Sequence, residues 1–152
     1  PPRSTLFPYT TLFRSIIIYS SDYADATFIE EYKMAHMTWK RLVIPSDEYR
    51  KALTLLLDFG DSKKIISYLS DGRNSGPVDP SDRKWFQDVA IPRAEKLGLK
   101  HSAVIIKNDP FRKFYLNSII KVVNLTASYN MKVFTDYDEG FKWLISYGDY
   151  ND

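Results

Sequence analysis

The chain has 152 residues, with 21 Lys and Arg against 19 Asp and Glu, two His and no Cys, and Arg3 and Arg14 account for its whole positive surplus. Balanced charge without a basic run argues against a nucleic-acid or anionic-membrane partner. The missing cysteines exclude disulfides, thiolate metal ligands and a cysteine nucleophile and suit a cytoplasmic setting, and no apolar run nears the ~20 residues of a transmembrane segment.

The first fifteen residues, PPRSTLFPYTTLFRS, stand apart. They contain TLF twice, carry no acidic residue and run on without an initiating Met. They resemble the conceptual translation of a sequencing-library adapter. Residues 1–15 are therefore expected to be a non-native segment, and 16–152 a single domain of ordinary size.

From Ile16 onward, IIIYSSDYADATFI and KMAHMTWK are two β-rich stretches separated by Glu30, Glu31 and Tyr32, which predicts an antiparallel hairpin. IPSDEYRKALTLLLDFG predicts a helix with Ser46 as N-cap, Asp47 and Glu48 in the first turn, and Gly60 past its end. Its apolar positions Tyr49, Ala52, Leu53, Leu56 and Leu57 share one face. Asp58, Asp61, Lys63 and Lys64 read as solvated charges.

KKIISYLSD is a strand that runs into the turn-rich DGRNSGPVDPSD, after which Asp79 caps a second helix with Pro80 at its first position. Trp85, Phe86 and Val89 are its expected buried stripe. Pro92 lacks the N–H that would bond back to Asp88, so a kink or restart is expected there before Gly98. SAVII reads as a strand covered on both faces.

Asn108 or Asp109, with Pro110, opens a third helix whose inward ladder is expected at Phe111, Phe114, Tyr115, Ile119, Val122 and Val123. MKVFTD is a last strand. Asp136 and Glu139 resemble a capping box for a final helix that buries Phe141, Leu144 and Ile145. The order ββαβαβαβα predicts an α/β fold: a mixed sheet of about five strands with helices packed on it.

That order, together with IIYSSDY, YKMAHMTW, YRKAL, YLSDGRNSGPVDPSD, IPRAEKLGLK, AVIIKND and VFTDYDEGFKWL, resembles the STAS-like proteins. This is the superfamily of anti-sigma factor antagonists and sulphate-transporter cytoplasmic domains. More closely, the chain resembles an uncharacterised bacterial branch described as STAS-like with CRAL-TRIO lipid-transfer affinities. The resemblance implies a non-enzymatic regulatory domain that needs no cofactor.

In anti-sigma factor antagonists a phosphorylatable Ser lies near the start of the helix after the third sheet strand, in a D-S-[SG]-G-like string. LSDGRNSGPVDPSD lacks that string; its nearest serines are Ser75 and Ser81. A phosphate on Ser81 would sit at a helix start but beside Asp79 and Asp82, so capping and turn roles are expected instead. Gly72 and Gly76 bracket Ser75 as G-x-x-S-G, which is neither a nucleophile elbow nor a phosphate loop. His36 and His101 read as packed residues, and nothing has metal-ligand spacing.

Asp71 and Arg73 follow a strand's carboxyl end, where open α/β folds place ligands. Arg73 suits a phosphate or carboxylate clamp, and the simpler expectation is that it pairs with Asp71 and fixes the loop. Ser70, Asp71, Arg73, Ser75, Ser81 and Asp82 are thus the candidate surface for a protein partner. Trp85, Phe86 and Phe111 are the candidate pocket for an apolar small molecule or lipid. No catalytic constellation is expected.

Overall fold

In the computed structural model, which describes residues 14–126 and 130–151, the first β-rich stretch is two strands. β1 (Ser15–Ser20) and β2 (Ala24–Ile29) pair antiparallel, with a bulge at Ile18. The Ser21 hydroxyl makes the turn by accepting hydrogen bonds from the backbone N–H of Tyr23 and Ala24, at 3.0 and 3.1 Å. β3 (Met34–Trp39) follows antiparallel to β2, after a 3₁₀ turn at Glu30–Tyr32 and Lys33 at φ 48°. The sheet therefore has six strands. Ser15 belongs to β1, so the boundary expected after it falls inside a strand, and the Arg14 guanidinium reaches Glu30 at 3.1 Å. Residues 1–13 lie outside the described residues.

β4 (Ser67–Asp71), β5 (His101–Ile105) and β6 (Asn130–Phe134) continue the sheet in parallel, so that neighbours in space are neighbours in sequence. The crossovers are α1 (Ser46–Gly60), α2 (Pro80–Trp85) with α3 (Ile91–Lys96), and α4 (Pro110–Thr126). All pack on one face, where Leu53, Ile91 and Ile120 meet Ala35, Met37 and Tyr68. α5 (Tyr137–Ile145) covers the other face, setting Tyr137, Phe141 and Leu144 on Met34, Leu69 and Ile105. Each such side chain contributes about 1.5–3 kcal/mol by leaving water.

Three aspartates start helices. Asp79 accepts from Ser81 N–H, Asp109 from Phe111 and Arg112 N–H, and Asp136 from Glu139 N–H. Ser46 does not cap α1: Pro45 holds the cap position, and the Ser46 hydroxyl donates across to Asp82. At Pro92 the helix widens rather than breaks. Residues Phe86–Ala90 form a π-helical turn in which Ile91 N–H reaches back to Phe86 C=O. That extra residue turns Val89 outward and Ala90 inward, so Val89 is exposed where burial was expected. Asp58 and Asp61 are exposed but not solitary, since Arg93 bridges them at 2.7 and 3.0 Å.

The largest correction concerns α4, which is rotated from its expected register. Arg112, Ile120 and Val123 are buried, with Tyr115, Leu116 and Ile119 half-buried, while Phe111, Phe114 and Val122 face outward. Arg112 is the cause. Its Nη1 donates to the carbonyls of Gly72 and Ser75, at 3.2 and 2.8 Å, and so turns a charged residue inward.

α5 sits close to the sheet because Gly140 has no side chain there. A Cβ at Gly140 would lie 2.4 Å from Ile105 Cδ1 and 3.3 Å from Phe134 Cδ1, both in packed side chains. Gly140→Ala is expected to cost about 1–3 kcal/mol through overpacking. Urea denaturation would show this as a lower midpoint at unchanged slope.

Candidate functional site

Toward the carboxyl ends of β3, β4 and β5 the helical layer stands off the sheet and leaves a cavity of ≈ 560 Å³, inside the roughly 300–1,000 Å³ range of small-molecule pockets. Trp39, Tyr68, Ser70 and Val104 form the sheet side. Tyr49 from α1, Phe86 from the π-helical turn, and Tyr115 and Ile119 from α4 form the helical side. The rim comes from two loops, at Leu42–Ile44 and Gly72–Asp79.

Backbone contacts hold the rim in place. Gly76 N–H donates to Leu42 C=O at 2.8 Å, and a Cβ at Gly76 would come within 2.9 Å of that oxygen, so only glycine fits without a shift. Gly72 N–H donates to Ile105 C=O at 2.8 Å. Arg112 then ties Gly72 and Ser75 down to α4. The Ser75 hydroxyl is taken by Gly72 C=O at 3.2 Å.

The lining is mostly aromatic and aliphatic, with its polar edges paired. Trp39 stacks on Tyr49 at 5.1 Å, and its indole N–H donates to Ser70 Oγ at 3.1 Å. Burial pushes the Tyr49 and Tyr68 phenols far above their ordinary range, so both stay protonated. Asp82 is only 1% exposed, yet it accepts from Arg50 Nε at 2.8 Å and from the Ser46 hydroxyl.

Ser70, Ser75, Asp82 and Phe86 meet at this cavity. The other candidates do not join them. Side chains alternate along β4, so Asp71 points to the α5 side, where it binds Arg73 through Nε and Nη2 at 2.9 and 2.7 Å. The Arg73 guanidinium lies over the Tyr137 ring at 5.1 Å, and its hydrogen bond to Asp71 raises its pKa further. Ser81 is exposed and donates to Asp79 at 2.6 Å. Trp85 packs edge-on to Tyr49 at 6.3 Å, behind the lining. Phe111 is 78% exposed, because the inward turn of Arg112 carries it to the opposite side of α4; it is no pocket residue.

Arg83 and Arg112 also line the cavity and were missed. A signal for Arg112 existed: it shares a helical face with Leu116, Ile119, Ile120 and Val123. On the α5 side, His36 is buried with Nε2 2.7 Å from Tyr137 Oη. Among the described residues, no three His, Cys, Asp or Glu gather as a metal site, and no helix is long and apolar enough to cross a membrane.

No family model matches this chain, and no curated protein does. A solved structure does: an uncharacterized protein of the DUF3478 family, with a SpoIIAA-like fold, from Shewanella loihica PV-4. The TM-score is 0.55 at 15% identity, over 86% of this chain and 92% of that one. The fold is SpoIIAA-like. At that identity the likeness extends to architecture alone.

Burial lowers the His36 pKa from 6.5 to about 4. The unfolded chain therefore takes up a proton near pH 6.5 that the folded chain refuses until about pH 4. The neutral-histidine contribution is complete above pH 6.5 and is lost as pH falls toward 4, by about 3 kcal/mol in all. Melting curves across that window should fall less steeply for His36→Gln than for the parent. Equal slopes would mean that His36 does not control the acid limb.

Proposed function

We propose that this chain is a non-catalytic STAS-like domain that binds a small, largely apolar molecule in the cavity beneath the Gly72–Asp79 loop. The single observation that supports this is the ≈ 560 Å³ cavity itself, with its pinned rim and its lining of Trp39, Tyr49, Tyr68, Phe86 and Ile119. An apolar space of this size at the carboxyl ends of parallel strands has the size, chemistry and location common to ligand pockets in open α/β folds. The non-catalytic part rests on how the nearby polar groups are engaged. Ser75 is bonded to a backbone carbonyl and Asp71 to Arg73, and the carboxylate that takes the Ser46 hydroxyl, Asp82, is ion-paired to Arg50, which makes it a weak base.

A second reading is a regulatory domain that offers residues Ser70–Asp82 to a protein partner. Leu42 and Val43, 72% and 76% exposed, favour it, because Gly76 holds them beside that segment. In this reading the cavity is incidental.

Leu116 of α4 lines the cavity and is half-buried, so Leu116→Trp fills the space from one wall. Titration of the neutral probe N-phenyl-1-naphthylamine, followed by its fluorescence, should give saturable one-to-one binding to the parent. The variant should bind roughly tenfold or more weakly with an unchanged circular dichroism spectrum. Absence of saturable binding by the parent would discard the ligand reading and leave the interaction domain.

A further inference from the structure

We infer that the cavity selects an amphiphile with a single anionic headgroup, held by Arg83 and Arg112, and this rests on the cavity being a ligand site. Both arginines line it. Arg112 is only 8% exposed, so its charge is largely withdrawn from water. Its Nη1 is satisfied by the Gly72 and Ser75 carbonyls, but these are neutral acceptors, and its buried Nε–H has no acceptor among the described residues. Arg83 Nε–H is in the same condition.

Neither guanidinium has a carboxylate within ion-pair distance among the described residues, whereas Arg14, Arg50, Arg73 and Arg93 each do. The two acidic groups of the wall are otherwise engaged. Asp82 is committed to Arg50 and Ser46, and Asp79 at the rim to Ser81. Asp79 still exerts a Coulombic pull on Arg83 from the rim, but Arg112 carries a charge largely withdrawn from water with no carboxylate within ion-pair distance among the described residues, an arrangement that costs stability unless an anion arrives.

The two arginines also share neighbours. Arg83 lies over the Tyr115 ring at 4.9 Å, and Tyr115 follows Arg112 by one helical turn, so both guanidinia flank one side of the cavity. The remainder, with Tyr68, Phe86, Val104 and Ile119, offers mostly apolar surface and protonated phenol to the rest of the ligand, beside the polar groups of Ser70, Asp82 and Gln87. A forked donor beside an apolar chamber matches a carboxylate or phosphate monoester on an alkyl chain. A flat polar metabolite would leave that surface unused.

The test compares dodecanoate, dodecyl phosphate and dodecanol, which share one chain length, by isothermal titration into the full chain at pH 7.5 below micelle-forming concentrations. One or both anions should bind about tenfold or more tightly than the alcohol, as expected for a charge-assisted contact, and the better anion identifies the headgroup. Arg112→Gln should erase that preference, read as the ratio of anion to dodecanol affinity within the same variant because Arg112 also pins the rim. If that variant does not fold, Arg83→Gln, at a half-buried position, should reduce the preference in the same way. Dodecanol binding as tightly as both anions would overturn the headgroup assignment and leave the apolar cavity standing; no uptake of any of the three would overturn both.

Discussion

A guanidinium withdrawn from water has to find acceptors, and Arg112 finds two on the segment that closes the cavity. By donating to Gly72 and Ser75 carbonyls it joins the exit of β4 to the start of α4, two elements far apart in sequence. The same contact sets the rotation of α4. With Arg112 inward, Tyr115, Leu116 and Ile119 follow it toward the sheet, and Phe111 and Phe114 are left in solvent. An apolar residue at position 112 would gain burial but leave the Ser75 carbonyl without its donor, a loss of about 1–3 kcal/mol, while the Gly72 carbonyl would keep Ser75 N–H and hydroxyl.

The two faces of the sheet carry different side chains at the point of helical contact, and the cavity follows from that difference. Sequential parallel strands send every crossover to one side, so α1 to α4 share a face and α5 has the other to itself. α5 approaches through Gly140, and its layer closes tightly on Ile105 and Phe134. The opposite layer meets the sheet through Tyr49, Phe86, Arg112 and Tyr115, which are large and hold the helices away. Helix separation scales with the side chains at the contact. Backbone ties at Gly76–Leu42 and Gly72–Ile105 keep the loops from collapsing into the gap.

What the sequence made readable was local chemistry. Asp79, Asp109 and Asp136 mark helix starts because a cap is satisfied within three residues, and Pro92 marks an irregularity because a missing N–H acts on its own turn. The turn between β1 and β2 escaped because it uses neither glycine nor proline; its signal was the serine pair in YSSDY, whose hydroxyl replaces a backbone partner. The rotation of α4 escaped for a different reason. Phe111 and Phe114 outrank an arginine on any hydrophobic count, and the acceptors that capture Arg112 lie some forty residues away in the chain. Candidate residues in the loop divided by strand parity: Ser70 reaches the cavity and Asp71 the opposite layer, which follows from alternation once the strand's facing is known.

That parity gives the segment from Asp71 to Ser75 a hold on both layers. On one side Arg73 returns to Asp71 and lies over Tyr137, which in turn reaches buried His36. On the other, Gly72 and Ser75 are fastened to Arg112 and Gly76 to Leu42. Gly72 itself is tightly placed: a Cβ there would lie 3.1 Å from Arg112 Nη2 and 3.3 Å from the Ile105 carbonyl, so a substituent would need both to shift by a few tenths of an ångström. A substituent at this one position presses on the guanidinium and on the backbone of the interior strand β5 together. The loop is therefore best understood as a clamp between layers, held by Arg73 and Asp71 on one side and by Arg112 on the other.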